Sequence, residues 1–221
     1  MSLRLMFLAL LFGIISLVIG LNPAKSKEGE PGTRGCPNPP TQVNFNLNKF
    51  TGNWHEHFTL IPAKSFSHVP LEFKCPTTEI VLYPGSTTNG SIRVNSIQRK
   101  TGYKAVVNGN ILTPDPKEPA KLAVKFSPGS VLASYWVLAT DYLRFALVYS
   151  CSPNPIVPVY FEEHISVLTR KTGELLGSIH YTIERLTEAH FKDRKLRTVL
   201  SDQTRCGTVK LSKKTFFSDI V

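Results

Sequence analysis

The sequence predicts an all-β protein, a sandwich or a barrel of eight short strands, with one C-terminal helix packed against it. Three observations carry this. Strand signals recur about every ten to twelve residues between Trp54 and Arg170, separated by Gly, Pro and Asn clusters, the pattern of strands joined by tight turns. Lys121-Leu122-Ala123-Val124-Lys125-Phe126 and Ile92-Arg93-Val94-Asn95 set their polar and large apolar residues on alternate positions. Successive strand side chains point to opposite sides, so these segments need one wet face and one dry face. Finally, Glu174 to Arg197 carries Leu175, Leu176, Ile179, Ile183 and Leu186 at near-helical spacing, with charged residues between them.

In chain order, the expected strands are Trp54–Ile61, Thr77–Tyr83, Ser91–Arg99, Tyr103–Leu112, Lys121–Phe126, Leu132–Thr140, Arg144–Cys151 and Val159–Arg170. Pro84-Gly85, Asn89-Gly90, Thr101-Gly102, Pro114-Asp115-Pro116, Pro128-Gly129, Asp141-Tyr142 and Pro153-Asn154-Pro155 supply the turns. Leu132 to Leu138 is largely apolar on both faces, which suggests that something covers its outer side. The helix expected within Glu174–Arg197 is the candidate cover.

The two ends set the compartment. Arg4 followed by the apolar run Leu5 to Ile19, with small residues at Val18 and Gly20, reads as a signal peptide over residues 1–20. Residues 21–40 form a Pro-, Gly-, Lys- and Glu-rich arm, residues 41–210 the globular domain, and 211–221 a tail. The mature chain is expected to be secreted, with no transmembrane segment. The formal charge of +10 would suggest nucleic acid in a cytosolic protein, but an extracellular chain does not meet it. Basic residues cluster in Lys192 to Arg197 and Lys210 to Lys214, which points at most to weak attachment to anionic surfaces. Asn89-Gly90-Ser91 is an N-glycosylation sequon in an apparent turn.

Cys36, Cys75, Cys151 and Cys206 are an even set in an oxidising compartment, which argues for two disulfides. Three pairings are open, and spacing does not choose among them. No Cys-x-x-Cys pair occurs, so a thiolate zinc site is not expected.

Gly52-Asn53-Trp54, Thr140-Asp141-Tyr142 and Arg170 are each weak signals alone. Longer stretches frame them: Cys36-Pro37-Asn38-Pro39-Pro40, Asn48 to Trp54, Glu118 to Phe126, Tyr135 to Tyr142, Ala146 to Cys151, and Ser201 to Cys206. In this order they resemble the lipocalin family, in the apolipoprotein D-like branch with its insect bilin-binding relatives. The resemblance implies an eight-stranded up-and-down antiparallel β-barrel with one C-terminal helix packed outside. It also implies disulfides Cys36–Cys151 and Cys75–Cys206, and a barrel floor built from Gly52, Trp54, Thr140, Asp141 and Arg170, with the guanidinium over the indole.

A carrier of this kind holds its ligand on inward faces. If Arg170 points in, alternation brings Leu168, Ser166, His164 and Glu162 with it. The other strands are expected to offer Ile80, Val94, Ser96, Val107, Val124, Phe126, Tyr135, Val137 and Ala139. The lining is mostly apolar with a few polar groups, the usual composition of small-molecule pockets. Apolipoprotein D-like relatives often carry an aromatic residue near the Ser166 position, so this wall is more polar than theirs.

No catalytic constellation stands out. His55-Glu56-His57 places two imidazoles on one strand face opposite Trp54, with no third ligand nearby, so no metal is expected. There is no Gly-x-Ser-x-Gly elbow. Glu162 and His164 could serve as acid and base only against a bound substrate, and the cysteines are committed to disulfides. The sequence therefore indicates a non-enzymatic secreted carrier, monomer or dimer, without a cofactor, for a small hydrophobic ligand such as a lipid, fatty acid, sterol, bilin or carotenoid. The competing reading is an extracellular interaction protein that works through the loops Pro62–Lys74 and Pro153–Pro158, with a vestigial cavity.

Overall fold

The computed structural model describes residues 36–62, 72–126, 132–153, 161–173, 177–192 and 194–207. The expected signal peptide, residues 21–35 of the arm, residues 63–71 and 154–158 of the two mouth loops, and the basic tail lie outside these residues.

A short helix α1 (Leu47–Phe50) leads into strands β1 (Gly52–Pro62), β2 (Phe73–Leu82), β3 (Asn89–Gln98) and β4 (Lys104–Leu112). They are followed by β5 (Lys121–Lys125), β6 (Ala133–Thr140), β7 (Phe145–Pro153) and β8 (Phe161–Thr169). Helix α2 (Gly177–Phe191) and a ninth strand, β9 (Leu196–Leu200), complete the chain. Each strand from β2 to β8 pairs antiparallel with its sequence neighbour, β8 pairs with β1, and β1 pairs with β2. Eight strands thus close into an up-and-down barrel.

The closure is local. Only Gly52–His55 of β1 face Thr77–Ile80 of β2. From Phe58 to Pro62 the same edge of β1 pairs with β9 instead. Bulges make this exchange possible, since an extra residue bends a strand and sharpens its twist. One lies between Glu56 and Phe58 of β1, the other between Lys74 and Thr77 of β2, where Cys75 adopts φ 56°.

Apolar residues segregate into two layers. Inside, Phe50, Trp54, Ile80, Ile92, Ile111 and Leu122 pack together at the end where β1 begins. Outside, Leu147, Tyr149, Ile165 and Val167 meet Ile179, Ile183 and Phe191 of α2. The doubly apolar segment before Thr140 is explained by this arrangement. Its Val137 joins the inner layer, while Trp136 and Leu138 lie in the outer one with α2.

The eight expected strands fall within about four residues of those observed. The largest offset is at the start of β2, where Pro76 argues against a strand interior but in fact sits at the bulge. The helix expected within Glu174–Arg197 occupies Gly177–Phe191, and Leu196–Leu200 is strand. The apolar spacing becomes irregular after Leu186, and the alternating, partly β-branched Leu196-Arg197-Thr198-Val199-Leu200 meets the unpaired edge of β1. Ala139, expected inside, packs in the outer layer because β6 shifts register between Val137 and Ala139. Neither α1 nor β9 was anticipated.

Candidate ligand-binding site

The floor comes first, because it closes one end of the barrel. Gly52 has φ +94°, a conformation that suits glycine, and a Cβ there would lie 3.3 Å from Nη1 of Arg170. Arg170 sets its guanidinium 3.6 Å from the Trp54 ring centroid. Its Nε donates to the Tyr142 carbonyl at 2.9 Å and its Nη1 to the Asn53 carbonyl at 2.9 Å. Trp54 Nε1 donates to the Phe50 carbonyl at 2.9 Å, and the Phe50 ring packs at 5.0 Å from the indole. Helix α1 is therefore a plug, capped by Asn46, whose side chain accepts from Lys49 N.

Thr140, Asp141 and Tyr142 shape the adjoining turn. Asp141 Oδ1 accepts backbone N–H bonds from Leu143, Arg144 and Phe145, and its Oδ2 accepts from Arg144 Nε at 2.6 Å. Partial burial pushes its carboxyl up, but these hydrogen bonds outweigh burial and hold it below its ordinary value. Thr140 Oγ1 donates to the Phe145 carbonyl at 2.8 Å and accepts from Tyr142 N at 2.9 Å. The three short sequence patterns meet at one end of the barrel.

Both disulfides are formed. Cys36 bonds Cys151 of β7, and Cys75 of β2 bonds Cys206, which pins the segment after β9. Asn89 is exposed at the first position of β3, in the hairpin at the plugged end. Among the described residues, no three His, Cys, Asp or Glu side chains group as metal ligands. His57 lies outside the barrel, on a groove of about 530 Å³ between α2, β1 and β9 that also holds His180 and Glu184.

Inside, the barrel divides into two zones. Ile80, Val124 and Val137, expected as ligand contacts, are 0 %, 3 % and 0 % exposed and belong to the sealed apolar mass above the plug. Phe126 falls one residue beyond β5, is 37 % exposed, and abuts the space beside Gly109. Val94, Ser96, Val107, Tyr135, Glu162, His164 and Ser166 all keep part of their surface accessible. Register places several of them. Val94 pairs with Thr78 and Val107, and Ser166 pairs with Val148 of the inner layer. Two positions along β8 is His164, and two further is Glu162.

Glu56 is the residue that sequence reasoning missed. It pairs with inward Leu168, so its carboxylate enters the barrel on the side of Trp54. Oε2 accepts from Ser166 Oγ at 3.3 Å, and Oε1 accepts from Ser201 Oγ at 2.8 Å. Gln203 Nε2 holds the Glu56 carbonyl at 2.8 Å. The available signal was alternation: His55 and His57 facing out requires Glu56 to face in.

Two titratable neighbours register this charge. Burial raises the Tyr135 phenol well above its ordinary value, and Glu56 raises it further. Burial lowers His164, opposed by the charges of Glu56 and Glu162, and the net direction is down. Burial thus disfavours the charged form of His164. The Tyr135 Oη is buried without a hydrogen-bond partner among the described protein groups, an arrangement that ordinarily costs stability.

A plugged floor, a sealed apolar base and a polar, partly accessible upper wall define a calyx, a β-barrel closed at one end. No family model matches the chain. Apolipoprotein D of Cavia porcellus is 33% identical over 208 residues, covering 93% of this chain and 98% of its own length. Insecticyanin-B of Manduca sexta is 28% identical over 170 residues, covering 70% of this chain and 75% of its own. The solved structure of insecticyanin from the tobacco hornworm Manduca sexta superposes with a TM-score of 0.61 at 23% identity, covering 82% of this chain and 93% of that one. The chain belongs to the lipocalin family, in its apolipoprotein D-like branch.

Proposed function

We propose that this protein is a secreted, non-enzymatic carrier that holds a small hydrophobic molecule in the upper half of its barrel. One observation carries the reading: a sealed apolar base lies beneath a ring of inward residues that keep accessible surface. A ligand's apolar body would rest on that base while its polar end meets Glu56, Tyr135, His164 and Ser166. Two disulfides and the apolar N-terminal run support an extracellular setting. The membership in a family of carriers supports transport rather than catalysis.

Covering roughly 300 Å² of ligand apolar surface at about 25 cal/mol per Å² gives about 7.5 kcal/mol, in the micromolar range before ordering costs. The test is mass spectrometry on the organic extract of natively purified protein, paired with titration of the delipidated protein by a fluorescent lipid probe. A lipid, sterol, bilin or carotenoid in the extract, and saturable one-to-one probe binding, are expected. An empty extract together with no probe binding would sink the reading.

A further inference from the structure

The chemistry of the upper wall is lopsided, and that bears on which ligand the carrier takes. Glu56 lies on the inward face of β1 and is held by two hydroxyl donors, Ser166 and Ser201. A carboxylate offers about four lone-pair sites, so two remain for a guest. Glu162 follows on the same face of β8 as His164 and Ser166, and its charge reaches His164. Burial disfavours the charged form of His164 and so limits it as a counter-charge. No Lys or Arg among the described residues forms an ion pair with Glu56. A second, independent observation concerns Tyr135, whose Oη is buried and has no hydrogen-bond partner among the described protein groups.

We propose that the calyx selects amphipathic amines, with an ammonium head seated against Glu56 and an apolar body on the sealed base. This inference rests on the carrier reading and sharpens it. An ammonium supplies three donors to a wall rich in acceptors: the Glu56 carboxylate, the unprotonated nitrogen of His164 and the Tyr135 oxygen. It also brings a positive charge to Glu56, which pairs with no Lys or Arg among the described residues. A carboxylate guest meets the opposite conditions, since two carboxylates sharing a low-dielectric site cannot both stay ionised without cost. The selection is made inside. The chain as a whole carries +10, so long-range attraction favours anions, and only the local field of Glu56 reverses this.

The experiment uses the full disulfide-bonded mature chain, delipidated, at 0.15 M salt, where the screening length is about 8 Å and the basic exterior is damped. Dodecylamine, dodecan-1-ol and dodecanoate share one apolar chain and differ only in the head. Calorimetric titration at neutral pH is expected to show dodecylamine binding at least about ten-fold tighter than dodecanoate. In Glu56→Gln that ratio is expected to fall by about ten-fold. Dodecanoate binding as tightly as dodecylamine in the wild-type protein overturns the inference and leaves the carrier reading standing. An unchanged ratio in Glu56→Gln overturns it as well. Binding of none of the three removes the carrier reading and this one together. The wild-type comparison alone decides the matter if Glu56→Gln does not fold.

Discussion

The guanidinium of Arg170 sits 3.6 Å from the centroid of the Trp54 indole ring, although the two residues are far apart in the chain. Trp54 is 0 % exposed. Arg170 hydrogen-bonds to Asn53, beside Trp54, and to Tyr142 in the β6–β7 turn. One cation therefore ties the first strand, the plug and the far turn together, with the aromatic face beneath it.

Removing the indole should be costly. Trp54→Ala is expected to destabilise the fold by about 3 to 5 kcal/mol, as buried aromatic truncations do. A double-mutant cycle with Arg170→Met should reveal a coupling of about 1 to 2 kcal/mol, the range for a partly desolvated cation–π pair. Urea titration of the three variants reads both quantities, and additive losses would mean that the rings and the cation do not cooperate.

Gly52 should tolerate no side chain. Its φ of +94° and the Arg170 Nη1 only 3.3 Å from a would-be Cβ make Gly52→Ala cost about 1 to 2 kcal/mol. Gly177→Ala, where nothing lies within 4 Å of the added carbon, is the control and should be neutral or mildly stabilising at a helix start. Thermal melts of both variants compare them directly.

The Cys75–Cys206 bridge, between cysteines 131 residues apart, should stabilise the fold by at most about 4 to 5 kcal/mol in the chain-entropy view. It also anchors the segment that delivers Ser201 to Glu56 and Asp202 to the Cys75 amide. Replacing both cysteines by Ser should raise hydrogen exchange across β9 and residues 201–206 first, while the amides of β6 and β7 stay protected. Uniform exchange through all nine strands would contradict this order.

Acid should weaken the protein as His164 takes up a proton. Burial holds its folded value below the ordinary 6.5, so the unfolded chain binds that proton first. The contribution is whole above pH 6.5 and is lost as pH falls through the folded value. His55 and His57 are lowered by burial in the same direction, from half-buried positions where solvent weakens the effect. The melting temperature should drop between about pH 7.5 and pH 5, and His164→Gln should flatten part of that slope. A slope that is identical in the variant would assign the effect elsewhere.

Tyr135→Phe separates stability from binding. The hydroxyl has no partner in the empty barrel, so its removal should leave the apo protein equal in stability or up to about 1 kcal/mol more stable. A ligand with a polar head should nonetheless bind more weakly. Denaturation and ligand titration on the same preparation read the two effects, and a destabilised apo variant would show that the hydroxyl is satisfied without a ligand.

The barrel was legible because period-two alternation is a local signal. Lys121 and Lys125 with Leu122 and Val124 already state which side of β5 is wet. The inward direction of Ser166 and His164 followed from Arg170 by the same counting. Ala139 shows the limit, because it lies past a register shift in β6. Counting fails wherever the ladder slips, because a single extra residue turns every later side chain to the other face.

By itself the sequence determined the strand series and the even set of cysteines and, through resemblance, the barrel-floor motifs and the family. Each of these rests on residues close in the chain or on a shared order of motifs. The tertiary structure alone decided what surrounds Glu56. Ser166 is 110 residues away and Ser201 145, and they reach Glu56 only because β8 takes one edge of β1 while β9 takes the other after β2 departs. Which edge a strand leaves free is a property of the closed sheet, and no local pattern in the chain encodes it.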